Sequence, residues 1–323
     1  MTKKIYLLIL FSLFTTAIFA QNEDTNATEP IDTIAQQKAE GKKAIQDAWG
    51  STMLIDAQTS LIPTKGSMEL VIQHRFSNLN NGIHDLFGLY GASNIRLAFN
   101  YSIFNQWMIG FSTEKDNKYQ EFFTKVKLLE QNRKGSIPLS LTLFGNATIG
   151  AREKAYFGID YKFIDRMSYF AQLIVARKFC KVLSLEAAVS YSHYNKVESQ
   201  KVVDTLYNTS DSTLSVIQTR YDPIYQNDVL GVSGGARINF YKGMSLLLEY
   251  DQGFYLKKAV APQLVPKPNL GIAFEITTST HCFQIFASNY RGIIPQHNFS
   301  KSQFDFATKK GWMLGFNITV RFN

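Results

Sequence analysis

The end of the chain alternates strictly. Over residues 311–323, Trp312, Leu314, Phe316, Ile318, Val320 and Phe322 share one side of an extended backbone. Met313, Gly315, Asn317, Thr319, Arg321 and Asn323 share the other. Successive side chains of a strand point to opposite faces, so this period of two predicts a strand with one apolar and one wet face. The pattern recurs upstream. Met68, Leu70 and Ile72 alternate with Glu69 and Gln73, and Ile95, Leu97, Phe99 and Tyr101 with Arg96 and Asn100. Trp107, Ile109 and Phe111 follow, then Phe122, Thr124, Val126 and Leu128 against Lys125 and Lys127. Further runs start at Leu139, Ala171, Leu183, Val232, Leu246, Leu270 and Phe283. About twelve strands result, most of about the length a tilted strand needs to cross a bilayer.

The connections carry a second signal. Short ones (103–106, 132–136, 180–182, 241–243, 278–280) alternate with longer ones (77–92, 114–119, 152–167, 195–226, 256–268, 291–310). Tight periplasmic turns opposite larger outer loops characterise an outer-membrane barrel, whereas a soluble sandwich has no reason to sort its loops this way. The pattern predicts an all-β, antiparallel, up-and-down transmembrane β-barrel over residues 67–323. Residues 156–163 also alternate, and an extra pair there would raise the count to fourteen. The polar connection 195–226 is too long for a mere turn. The last strand should close the barrel against residues 68–76, with Arg321 at the inner mouth.

The N-terminus reads as export. Lys3 and Lys4 precede an apolar run over residues 5–19, and Ala17 and Ala20 suit a signal peptidase, which makes residues 1–20 a cleaved signal peptide. Residues 21–66 read as a periplasmic tail. Within it, 31–48 has helical composition with a thin apolar face, and is a weak helix, a lumenal plug, a periplasmic contact or a plain tether.

Composition adds modestly to this. Forty-five per cent of residues are hydrophobic, and 16 Tyr with 25 Phe suit interfacial aromatic girdles. The net charge of +8 is scattered without a Lys/Arg block, so nucleic acid is not an expected partner. The expected partners are outer-membrane lipid, the barrel-assembly machinery during insertion, and a periplasmic protein meeting the tail.

Several stretches resemble a known family. They are His74-Arg75-Phe76, Leu86-Phe87-Gly88-Leu89, Asn94-Ile95-Arg96-Leu97, the run from Pro138 to Phe144, the run from Ser168 to Phe179, and Phe283-Gln284. In this order they are similar to an uncharacterised β-barrel family of the Bacteroidota, domain of unknown function 5777, from about Trp49 to the C-terminus. Tyr290, where a small residue is expected, and Asn323 after Phe322 depart from the pattern. The resemblance implies an outer-membrane barrel and no particular activity.

Candidate chemistry is sparse. His74, His84, His193, His281 and His297 do not converge: His74 and His193 fall on the first and seventh strands, on opposite sides of a twelve-stranded barrel. Ser192 and His193 are adjacent and point to opposite faces, so they do not pair as a lipase site. His84 and Asp85 in the first outer loop, with Asp160 and Asp165 in another, have no fixed geometry for a protease. Cys180 and Cys282 lie about four strands apart, too far for a disulfide, and read as two free buried thiols. Gly231-Val232-Ser233-Gly234-Gly235 has strand parity and no following helix, so it admits curvature or a bulky neighbour rather than a nucleotide. No metal, cofactor or enzymatic activity is expected.

The informative set has lumen parity: Glu69, Gln73, Arg75, Arg96, Asn100, Lys125, Lys127, Glu186, Arg237, Glu249, Glu275, Asn317 and Arg321. Buried charges of both signs must be paired and hydrogen-bonded. The set fits a narrow pore or small-solute binding barrel. The alternative is a closed, salt-bridged barrel with a structural or partner-binding role. A barrel enzyme is the third reading.

Overall fold

A computed structural model of the chain describes residues 43–45, 48–158, 160–208, 213–257, 264–302, 304, 306–307 and 311–322, with side chains except at 81 and 200–222. The expected signal peptide (1–20), the expected tail as far as residue 42, most of the expected 31–48 helix, and Asn323 lie outside the described residues. In chain order the strands are β1 (Met68–Asn78), β2 (Asn94–Phe104), β3 (Trp107–Glu114), β4 (Tyr119–Leu129), β5 (Ser140–Gly150), β6 (Met167–Lys178) and β7 (Leu183–Tyr194). Next come β8 (Ser199–Asn208), β9 (Thr213–Pro223), β10 (Asp228–Tyr241), β11 (Met244–Tyr255), β12 (Asn269–Thr277), β13 (His281–Ser288) and β14 (Met313–Phe322). One short helix, α1 (Pro295–Lys301), precedes β14.

Twelve strands close into a barrel of antiparallel neighbours, β1 pairing with β14. Met68 stands opposite Phe322, and Gln73 opposite Asn317, so the alternating C-terminal strand is the closing stave. The remaining two strands, β8 and β9, pair only with each other in the 195–227 connection. The described residues of 156–163 form no strand; one-turn helices at Lys154–Phe157 and Phe163–Arg166 occupy that connection.

The pleat sorts side chains as the alternation requires. On β2 the polar parity is buried and the apolar parity exposed: Arg96 is 1% exposed and Phe99 54%. A wall inverted in this way belongs in lipid, with the aromatic face outward and the polar face inward. The loop lengths depart twice from strict alternation. The β3–β4 connection at the loop end is only residues 115–118, turning through Lys118 at positive φ. The β4–β5 connection at the turn end runs over 130–139, because it carries backbone bonds to the N-terminal segment: Ala44 bridges Asn132, and Ile45 N donates to Gln131 O at 2.9 Å.

Cys282 is buried and Cys180 exposed, both free. The expectation of two buried thiols is therefore corrected at Cys180. It sits in the tight β6–β7 turn, beyond the wall that would have covered it.

Candidate functional site in the barrel lumen

The lumen is filled by two segments of the chain itself. The first is residues 48–66. It doubles back as a small hairpin, with Met53 bridging Gln58, Leu54 N bonded to Ala57 O at 2.9 Å and Thr59 N to Thr52 O at 3.0 Å. It enters and leaves at the turn end: its leading side follows the Ala44–Asn132 bridge, and its trailing side meets β2 through Gly66 N and Ser102 O at 2.8 Å. The stretch assigned to a periplasmic tail is thus a lumenal strap from residue 48 onward. Ile55, Leu54 and Thr52 are each at most 1% exposed.

Wall residues hold the strap by its backbone. Glu249 Oε2 accepts from three successive amides, Ile55, Asp56 and Ala57, at 3.0, 2.9 and 3.0 Å. Successive N–H groups converging on one oxyanion form an anion nest, here filled by a wall carboxylate. Arg75 Nη2 donates to Ile55 O at 3.0 Å, and its other terminal nitrogen to Asn317 Oδ1 at 3.0 Å. Asn317 Nδ2 donates in turn to Ile55 O at 2.7 Å. Lys125 Nζ spans the hairpin base, donating to Thr52 O at 2.8 Å and Thr59 O at 2.9 Å. Gln284 donates to Met53 O at 3.2 Å. Glu186 is buried beside Lys125 and takes a backbone bond from Ser60.

Other predicted residues pair within the wall. Arg96 meets Glu121 at 2.5 Å and Gln73 at 2.6 Å. Arg237 meets Glu275 at 2.7 Å. Arg321 meets Glu69 at 2.7 Å at the turn-end mouth, where Asn100 adds a bond at 3.1 Å. Lys127 pairs with Glu130 on the same rim. Charged groups out of water require such partners. Among the described residues, the strap occupies the space between members of the inward set.

The second segment is the β13–β14 connection, which brings α1 down from the loop end. Phe299 lies 5.7 Å from Phe170, closing an inward aromatic row in which Phe123, Phe144 and Phe170 follow at 5.9 and 6.2 Å. Gln296 bonds Asn146, and Asn298 Nδ2 donates to Asp56 Oδ2 at the strap tip. Tyr290, the departure from the family pattern, is fully buried and donates its hydroxyl to Glu249 Oε1. Burial pushes the Asp56 carboxyl up to about 8; Arg75 and Arg96 pull it down, and Glu249 pushes it further up.

Glycines make the room. A Cβ on Gly231 would lie 2.5 Å from the Phe299 ring, and one on Gly253 1.8 Å from the Phe299 carbonyl oxygen. On Gly235 and Gly271 it would strike the Leu54 and Ile55 side chains at 2.3 and 2.6 Å. All four sit at lumen parity, which is the signal in the sequence that inserted segments pass there. The histidines stay apart: His74 stacks on Phe316 at 5.0 Å, and His193 bonds Asp228 at 2.7 Å on the opposite side.

Among solved structures the chain is similar to the NanC porin, at 9% identity over 79% of this chain and 99% of that one, with a TM-score of 0.46. It is similar to an outer-membrane channel from Pseudomonas putida F1, at 9% identity over 81% and 97%, TM-score 0.43. A third is the KdgM porin in complex with disordered oligogalacturonate, at 8% identity over 80% and 98%, TM-score 0.41. No curated protein matches. The family model described as membrane bound beta barrel domain (DUF5777) matches residues 49–322, a span that starts within the strap and ends in the closing strand, and the chain belongs to that family.

Proposed function

We propose that this protein is an outer-membrane barrel whose pore is closed at rest by its own strap and opens when the strap withdraws. In this reading the short turns and the strap entrance face the periplasm. The observation that carries it is how the strap is held. Glu249, Arg75, Lys125 and Asn317 all bind strap backbone, Arg75 also bonding Asn317 in the wall and facing the Asp56 carboxylate of the strap at 3.5 Å. Most of those bonds engage a charged side chain and contribute about 1.5–3 kcal/mol each net, and water entering behind a withdrawing strap can replace each of them. Leu54 and Ile55 at the tip add about 1.5–3 kcal/mol each by burial. Because the wall groups that hold the strap are polar and water can take its place, withdrawal leaves a polar, wettable lumen behind. The barrel so described conducts solutes and performs no catalysis.

The second reading is a permanently closed scaffold. The apolar seats of Leu54 and Ile55 against Gly235 and Gly271 favour it, since a strap built to leave has little use for shaped pockets. Planar-bilayer recordings separate the two. The full-length chain should show rare openings, and a variant lacking residues 48–62 should conduct persistently. A deletion variant that inserts and is as silent as the full chain would leave the scaffold reading standing.

A further inference from the structure

We propose that the loop-end mouth carries a binding site for a small oxyanion, the carboxylate or phosphate group of a diffusible solute. The proposal stands whether or not the strap moves. A cavity opens there between the β5–β6 connection, the residues just after β7 and the end of α1. Its floor includes Tyr119 and Tyr194, which are 4% and 5% exposed and share lumen parity with Glu121 and Ser192. The cavity therefore faces the barrel axis rather than the lipid, so its occupant arrives from solution.

Its charge is unbalanced. Lys301 takes Glu198 at 2.8 Å, and Lys196 faces Asp165 at 3.9 Å. That leaves the guanidiniums of Arg152 and Arg166 without an ion pair within 4.0 Å among the described residues, Glu198 acting on Arg152 only from farther off. Arg166 is fixed by neutral oxygens: it donates to the carbonyls of Gly150 and Arg152 at 2.7 and 2.5 Å and to Tyr161 Oη at 2.7 Å. Arg152 is fixed by stacking, its guanidinium carbon 3.4 Å from the centre of the Tyr156 ring. Its one hydrogen bond, to Tyr119 Oη, is long at 3.4 Å, and its Nε is buried without a partner.

A guanidinium held flat on an aromatic ring, with donor edges unspent, matches the planar geometry of a carboxylate or the oxygens of a phosphate. Stacking supplies position, and the missing anion supplies the reason for the site. Glu198 is the internal competitor, since its carboxylate shares the cavity and already holds Lys301 and the Tyr156 hydroxyl.

The test is a titration of the detergent-solubilised full-length protein with inorganic phosphate or acetate at constant ionic strength, read as the thermal-unfolding midpoint. Wild type should show a saturable rise. Arg152→Gln should weaken apparent affinity at least tenfold, with Arg152→Lys recovering part of it. Glu198→Gln should bind several-fold more tightly, a gain that misfolding cannot mimic and that carries the test if Arg152→Gln does not fold. No saturable rise in wild type, or no tightening in Glu198→Gln, would overturn the proposal. A rise given by dispersed short-chain phosphatidic acid but not by free phosphate would assign the site to a lipid headgroup and overturn the solute assignment.

Discussion

Asn298 on α1 donates its side-chain N–H to the carboxyl of Asp56 at the strap tip, and there the two segments that fill the lumen meet. One arrives from the turn end and the other from the loop end. Each braces the other, so loosening one should be felt by its neighbour.

The pH response of the strap follows from Asp56. Burial raises its carboxyl from 3.8 to about 8, with Arg75, Arg96 and Glu249 the charged groups facing it. A carboxyl raised on folding contributes stability that is complete below its unfolded value and is lost as pH rises through the folded one. Amides of residues 53–58 should therefore exchange progressively faster, beyond the intrinsic rate, as pH rises from about 4 to about 8, and level off above that. Asp56→Asn should flatten that dependence; an unchanged pH profile in the variant would place the titration elsewhere.

Gly253→Ala should displace α1. The added methyl would meet the Phe299 carbonyl oxygen, a backbone atom that cannot rotate away. Overpacking of this kind costs about 1–3 kcal/mol. Limited proteolysis should nick the 289–312 connection faster than in wild type. Gly234→Ala, with nothing within 4 Å of its new methyl, is the matched control and should behave as wild type.

Lys125→Met should free the hairpin base. It leaves the carbonyls of Thr52 and Thr59 unpartnered in a buried place. Each orphaned group costs about 1–3 kcal/mol unless the strap moves to find water. Hydrogen exchange over residues 51–60 should rise by one to two orders of magnitude, roughly the factor that range implies. Lys127→Met, at the rim, should leave that exchange near the wild-type rate.

Ile285 tests the lipid face. It is 66% exposed on β13, with outward parity. Lysine there should destabilise the reconstituted barrel by about 2–4 kcal/mol if the position lies near the bilayer midplane. Phe322→Lys, at the end of β14, should cost about 0–1 kcal/mol. Equal costs in urea unfolding from vesicles would argue against the assigned depth.

The barrel was legible in the sequence because its wall is a local pattern. Parity alone places Arg96 inward and Phe99 outward, and the run from Trp312 to Phe322 already has the apolar face of a closing strand. The strap was not legible in the same way. Residues 48–66 carry no period, and what holds them is a relation between distant groups, such as Glu249 with the amides of residues 55–57. Inward Phe123, Phe144 and Phe170 were also hidden, since apolar residues at both parities blur the alternation. Gly231, Gly235, Gly253 and Gly271 at one parity were the readable trace, because a polar-lined wall that filled its own lumen would not leave four adjacent gaps.

The most direct test of a removable strap is to lock it. Ser51 Oγ and Thr319 Oγ1 lie 2.9 Å apart, one on the strap and the other on β14. Ser51→Cys with Thr319→Cys, in a background where Cys180 and Cys282 are serine, should form a disulfide that ties strap to wall. Recorded in planar bilayers, the oxidised protein should show no openings, and reduction on the same membrane should restore them. Openings that persist with the disulfide intact would contradict the account.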